Sequence, residues 1–227
     1  MPARHLACLA TATLLLALTP ATSAVARTWQ PANDRVLQQV REIESRLQTS
    51  AYKPVLRINE RRGHYEFDCS AMAGWLLQRA APRARAAIDK PRPLARDFVA
   101  VIERAAPDRP KQGWLRVPRI ADAQPGDVLV WRRPRWFPSK NTGHIAFVVE
   151  APRPLLGGML VRIADATSIG HGNDSRGVGQ TGFGIGTLWV TVDPATGAGT
   201  GYGWQGEASA RAGYVIETPV LIGRAWR

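Results

Sequence analysis

A cysteine, a histidine and an aspartate are the side chains best placed in this chain to do chemistry together. Cys69 follows Asp68 and opens the run Cys69-Ser70-Ala71-Met72-Ala73-Gly74-Trp75-Leu76-Leu77-Gln78, which reads as the start of a helix. Asp68 is a good N-cap residue, because its carboxylate can accept from the exposed amides of the first turn. Met72, Trp75, Leu76 and Leu77 give an apolar stripe at helical spacing. A sulfur in the first turn sits at the positive end of the helix dipole, which favours an anion there and leaves free backbone amides beside it. A thiolate next to a ready oxyanion site is what acyl transfer through cysteine requires. A free cysteine is commonly a small core residue, so the functional reading depends on its partners.

The partners come from a predicted hairpin. Residues 144–150 and 159–165 read as two strands joined by a turn over 152–158. A turn centred between Pro154 and Leu155 sets His144 opposite Asp165, on one side of the sheet, with Cβ atoms about 4.5–5.5 Å apart. A slip of one residue would make the partner Ala164 or Ala166, and Asp165 is the only polar choice among the three. A carboxylate so placed can accept from one imidazole nitrogen, fix the tautomer, and leave the other nitrogen to deprotonate a thiol.

The elements that must position these groups follow from periodicity and punctuation. Asn33 or Asp34 can cap a helix running to about residue 48, with Val36, Leu37, Val40, Ile43 and Leu47 on one face. Residues 52–66 read as a basic connection without clear period. The cysteine helix ends before Pro82, and a further helix is expected over 94–104. Pro125-Gly126-Asp127 is a turn, and residues 128–131 are a β-branched and aromatic strand. A basic, proline-broken loop over 132–142 carries Trp136 and Phe137. Residues 170–186 are glycine-rich and read as an ordered surface loop, with later strands at 188–192 and 213–217. Helices first and hairpin-linked strands afterwards predict an α+β domain on an antiparallel sheet.

The first 26 residues read as a secretory signal peptide: Arg4 and His5, an apolar run from Leu6 to Leu18, then Pro20 and small residues up to Ala26. No later stretch has the length of a membrane span. Residues 27–50 then form a leading helix segment, and 51–227 one well-cored domain. Cys8 lies in the signal, so Cys69 is left without an intramolecular disulfide partner. The formal charge is +12, of which the signal carries only Arg4. So basic an exported protein should be drawn to anionic polymers in the periplasm or outside the cell. No zinc-finger or basic-helix pattern accompanies the arginines, and sequence-specific nucleic-acid binding is not expected.

Three short motifs, Phe67-Asp68-Cys69-Ser70, Pro125-Gly126-Asp127-Val128 and Gly143-His144-Ile145-Ala146, resemble those of the NlpC-type bacterial cell-wall cysteine peptidases. The similarity covers about residues 52–165. It implies a papain-like fold, with N-terminal helices and the nucleophile at a helix start packed on an antiparallel sheet. It also implies Cys69 as nucleophile, His144 as base and Asp165 in the third, orienting position, often histidine in the family. Ser70 follows the nucleophile, and an upstream tyrosine helps form the oxyanion site, with Tyr52 the better match and Tyr65 the other. The chain departs from the pattern at Ala71, where the family has glycine, in lacking a glycine pair beside the tyrosine, and in an insertion over 82–118.

Other signals carry less. Gly177-Val178-Gly179-Gln180-Thr181-Gly182 matches a dinucleotide fingerprint but has no βαβ unit around it. His64, Asp68, Cys69, His144, Asp165 and His171 lack the tight pair spacing of zinc ligands, and neither a metal nor a cofactor is expected. Trp75 and Trp189 read as core, whereas Trp114, Trp136 and Trp204 lie in loops where they could pack or stack on sugars. The expected function is an exported cysteine hydrolase. The resemblance points it at amide bonds of peptidoglycan stem peptides, through a thioester, with peptidoglycan or another anionic wall polymer as partner. The alternatives are a non-catalytic wall-binding protein on the same scaffold, or a secreted effector using this chemistry on another acyl group.

Overall fold

The structure is a computed structural model and describes residues 30–138 and 140–227. The signal peptide expected over 1–26 lies outside the described residues. Helix α1, Asn33–Arg46, buries Val36, Val40 and Ile43. Its N-cap residue is Ala32, with no side-chain cap, so neither Asn33 nor Asp34 has the expected capping role. Asn33 instead donates to Pro125 O at 2.8 Å and to Asp127 Oδ1 at 2.9 Å, tying the helix to the Pro-Gly-Asp turn.

The segment expected to be an irregular connection is a small sheet. Strands β1 Thr49–Tyr52, β2 Leu56–Asn59 and β3 His64–Phe67 pair in the order β1-β3-β2, with β1 parallel to β3. Each is only four residues long, too short for period-two alternation to stand out. Helix α2, Cys69–Ala80, follows at once. The insertion holds α3 Pro82–Ala86, α4 Ala95–Arg104 and strand β4 Trp114–Val117. Trp114 is fully buried, and its indole N–H donates to Ala84 O at 2.8 Å.

The remaining strands are β5 Val128–Arg132, β6 Gly143–Val148, β7 Arg153–Leu155, β8 Gly158–Thr167, β9 Gly182–Val192, β10 Gly199–Gly203 and, after the short helix α5 Glu207–Ala212, β11 Ile216–Ala225. They pair in the order β10-β9-β8-β6-β5-β11, with β4 outside β11, and β10 also pairs with β11. That last pairing closes a six-stranded β-barrel, with β7 as a flap on β8. This overturns the expected papain-like α+β arrangement of helices on an open antiparallel sheet. The fold is a closed barrel carrying a few helices on its outside.

The barrel has two cores. Leu129, Trp131, Ala146, Val148, Val161, Ile163, Leu188, Val190, Tyr202, Val220 and Ile222 fill its lumen. The alternate residues Val128, Val130, Ile145, Phe147, Ala164, Ala166, Phe183 and Ile185 face outward, against Val40 of α1, Met72 and Leu76 of α2, and Phe98 and Ile102 of α4. Strands buried on both faces read as continuous apolar runs rather than alternating ones. The closing strand escaped the sequence reading because it is Gly199-Thr200-Gly201-Tyr202-Gly203. A Cβ at Gly199 would stand 2.6 Å from Val220 O, and one at Gly203 2.4 Å from Ser209 Cβ. These glycines permit close approach rather than mark a loop.

Asp127 anchors the whole. It is fully buried, pairs with Arg224 of β11 at 2.8 Å, and accepts from Gln124 N at 2.8 Å. The turn, the first helix and the last strand meet on that one carboxylate.

Candidate active site

Helix α2 starts as its sequence requires. Asp68 is extended (φ −89°, ψ 175°), and its Oδ1 accepts from Ala71 N at 2.7 Å. Met72, Leu76 and Leu77 of the stripe are fully buried against the barrel wall. Trp75, expected in the core, is half-buried, with the Arg79 guanidinium 5.0 Å over its ring. Cys69 is the first residue of the helix and is 4% exposed. Its sulfur lies 3.9 Å from Ser70 Oγ. The first amides of a helix have no intrahelical acceptor, so N–H groups are available beside the sulfur.

His144 is the second residue of β6, at the mouth of the barrel. Gly143 before it has φ +142°, and a Cβ there would stand 2.0 Å from Trp131 O, so only glycine lets β6 begin this close to β5. His144 pairs in register with Trp131, whose ring is 5.1 Å away, and Trp204 meets the imidazole edge-on at 5.3 Å. Its Nε2 lies 2.7 Å from Asp165 Oδ2. That leaves Nδ1 for the cysteine. Burial alone would lower the His144 pKa. The Cys69 sulfur and the hydrogen bond to Asp165 outweigh it and raise the value from 6.5 to about 10.

The route by which His144 reaches Asp165 differs from the expected one. The hairpin turn is at Leu156-Gly157, both with positive φ, and not between Pro154 and Leu155. The β6–β8 ladder pairs Phe147 with Ala164 and Val148 with Ile163. Carried back along β6, that register would set His144 level with Thr167, two residues beyond Asp165. A slip of two preserves the face of the sheet, whereas a slip of one would have turned Asp165 outward. The contact is therefore diagonal, within reach of an imidazole.

Asp165 has no exposed surface and several cationic or N–H neighbours. His171 Nε2 lies 2.8 Å from the same Oδ2, and Arg176 NH1 is 3.2 Å from Oδ1. The arginine contact is an ion pair without hydrogen-bond alignment, and Oδ1 has no hydrogen-bond partner. Burial would raise the Asp165 pKa, but His171 and His144 together hold it well below the usual carboxylate range. Arg176 is fixed by Asp174 at 2.9 and 2.8 Å and by Gly182 O at 2.8 Å. Asp174 Oδ2 also accepts from His171 N at 2.7 Å.

Strand β9 makes room for this cluster. A Cβ at Gly184 would stand 2.5 Å from Arg176 Nε, and one at Gly186 2.6 Å from His171 Cβ. Gly182, with φ +93°, lets β1 approach: a Cβ there would lie 2.2 Å from Ser50 Oγ. Ser50 Oγ accepts from Phe183 N at 2.8 Å, and Tyr52 N donates to Thr181 Oγ1 at 3.1 Å. The expected surface loop over 170–186 thus ends in a barrel strand from Gly182, with alternate glycines where large groups pack.

Of the two candidate tyrosines, one joins the cysteine. Burial first, then the nearby Cys69, Asp68 and Asp165, raises the Tyr52 pKa far above its ordinary value, which puts its hydroxyl beside the sulfur. Tyr65 is buried 6.0 Å from Phe67, and the charges acting on it are Glu60, Arg46, Glu42 and Arg79. Cys69, His144, Asp165, Tyr52 and Ser70 are therefore gathered, and Tyr65 is not. His64 lies on β3, exposed, outside the cluster. Sequence reasoning gave no site role to Trp131, and left Trp204 open between packing and binding. Glycine alternation over 182–186 was the available signal that large side chains lie opposite that strand.

A cleft lined by Tyr52, Trp131, His144, Thr167, Tyr202 and Trp204 opens on the imidazole. Among the described residues no group of three or more histidine, cysteine or acidic side chains is arranged to hold a metal ion. The chemistry open to the arrangement is proton transfer between a thiol and an oriented imidazole. No protein-family model, curated protein or solved structure matches the chain.

Proposed function

We propose that this protein is an exported cysteine hydrolase that cleaves amide bonds in peptidoglycan stem peptides. One observation carries the reaction class: a cysteine at a helix start shares its surroundings with an imidazole whose other nitrogen is held by a buried carboxylate. In this reading the Cys69 sulfur attacks the amide carbonyl, and the new oxyanion is held by the first amides of α2 and the Tyr52 hydroxyl. The C–N bond then breaks as the His144 imidazolium gives its proton to the leaving amine. A water deprotonated by His144 attacks the thioester, and the acid and Cys69 thiol are released. The substrate class rests on the resemblance of the three motifs to NlpC-type wall peptidases, and on a basic surface suited to an anionic wall.

The test is digestion of purified sacculi, with mass spectrometry of the released fragments. Stem-peptide fragments that appear with the wild type and vanish with Cys69→Ala, at a loss of about 10⁴-fold or more, are the expected result. No release by a wild type whose Cys69 is nevertheless rapidly alkylated would keep the cysteine chemistry and reject the wall substrate. A Cys69 that reacts no faster than a free thiol would reject the hydrolase reading itself.

A further inference from the structure

Two imidazoles share one carboxylate oxygen. Asp165 Oδ2 lies 2.7 Å from His144 Nε2 and 2.8 Å from His171 Nε2. An ionised carboxylate only accepts, so both ring nitrogens carry hydrogen. His171 is held in place three ways: its amide donates to Asp174, Gly186 leaves space for its Cβ, and its ring lies 5.0 Å from that of Trp204 at 3°. Its Nδ1 is buried with no hydrogen-bond partner, a desolvation penalty that a phenylalanine in the same stack would avoid. A residue needed only for packing there has no reason to be histidine.

The other side of the carboxylate explains what the second imidazole is for. Arg176 NH1 stands 3.2 Å from Oδ1, yet the contact is not aligned as a hydrogen bond. The guanidinium cannot turn to improve it, being fixed by Asp174 and Gly182 O. The carboxylate is the partner that could rotate, and rotating toward Arg176 would draw Oδ2 away from His144. A second N–H on Oδ2 opposes that rotation.

We propose that His171 is a positioning residue: by donating its Nε2–H to Asp165 Oδ2 it holds the carboxylate against His144, and through it the imidazole against Cys69. This rests on the cysteine-hydrolase reading. The charged and titratable groups around His171 are Asp165, Asp174, Arg176 and His144, and Trp204 covers its face.

Two substitutions separate hydrogen bonding from packing. His171→Gln keeps an N–H donor and loses the ring; His171→Phe keeps a flat ring over Trp204 and loses the donor. The readout is the rate of Cys69 alkylation by iodoacetamide at neutral pH, with kcat and KM on a soluble stem peptide beside it. His171→Phe should lower the alkylation rate and kcat about tenfold or more with KM little changed, and His171→Gln should recover most of both. A Phe variant as active as wild type, or a Gln variant no better than Phe, overturns the proposal. Should His171→Phe fail to fold, proton NMR of the wild type decides: two low-field N–H resonances correlated to Nε2 of His144 and His171 are expected, and absence of the second overturns it. Both resonances present with a Cys69 inert to iodoacetamide would instead reject the hydrolase reading.

Discussion

On the proposed reading His144 and Cys69 form one chemical unit, which would show in how their losses combine. If the imidazole acts by activating the sulfur, His144→Ala together with Cys69→Ala should lower turnover little more than Cys69→Ala alone. Independent, multiplicative losses would make His144 a structural residue of the barrel mouth. The raised His144 pKa also ties stability to pH. The folded state binds this proton more tightly than the unfolded chain, so its stabilisation is complete below about 6.5 and is lost as pH rises through about 10. Denaturant midpoints should fall across that window in the wild type, and His144→Gln should flatten the fall. An unchanged slope in the variant would place the titration elsewhere.

At the scale of elements, the site depends on how close β1 comes to β9. Gly182 has φ +93°, and any Cβ there would collide with Ser50 Oγ and, at 2.7 Å, with Ala51 N. Gly182→Ala should destabilise the protein by about 1–3 kcal/mol, the usual range for overpacking. It should also displace Tyr52, at the end of β1, and so lower kcat beyond what stability explains. Urea unfolding and kinetics on the same variant check this; a stable protein with full activity would show that β1 does not set the oxyanion site. Legibility divides along the same line. The start of α2 could be read because Asp68 and the Met72-Leu76-Leu77 stripe follow local rules. His144 and Asp165 could be matched although the turn was misplaced, since an error of two residues leaves a side chain on the same face. The segment over 170–186 read as a loop, because Gly182 makes room for Ser50, far off in sequence, and Gly184 and Gly186 for Arg176 and His171, whose packing follows no local pattern beyond the glycine alternation.

Across the whole molecule, closure was the feature least visible beforehand. Whether β10 meets β11 depends on residues far apart in sequence, and a strand of alternating glycine carries no apolar signal. What could be read were apolar runs such as Ile145-Ala146-Phe147-Val148, which need cover on both faces. Charge is also a property at this scale. With a formal +12 on 227 residues, binding to intact wall should weaken as salt rises. Cleavage of a small neutral stem peptide should change little, since thiol and imidazole work in contact. Activity on sacculi and on the soluble peptide, measured from low to high ionic strength, separates the two; equal sensitivity would reject the wall tether. No helix among the described residues is long and apolar enough to cross a membrane.

The strand that closes the barrel also follows all its other strands along the described residues. Strand β11 supplies partners to β4, β5 and β10, and its Arg224 completes the anchor on Asp127. Ala32 N donates to Ala225 O at 2.8 Å, so even the approach to the first helix waits on it. Cys69 lies upstream of all the barrel strands, and the walls that hold His144 and Asp165 in place close only with β11. A chain that reaches only to α5 holds Cys69 without the closed barrel, and on the proposed reading its thiol gains a base only once β11 has paired. Ending the chain before Ile216 should leave no cooperative unfolding transition and a Cys69 that alkylates like a free thiol. A fast-reacting thiol in that shortened chain would mean that the site assembles without the barrel.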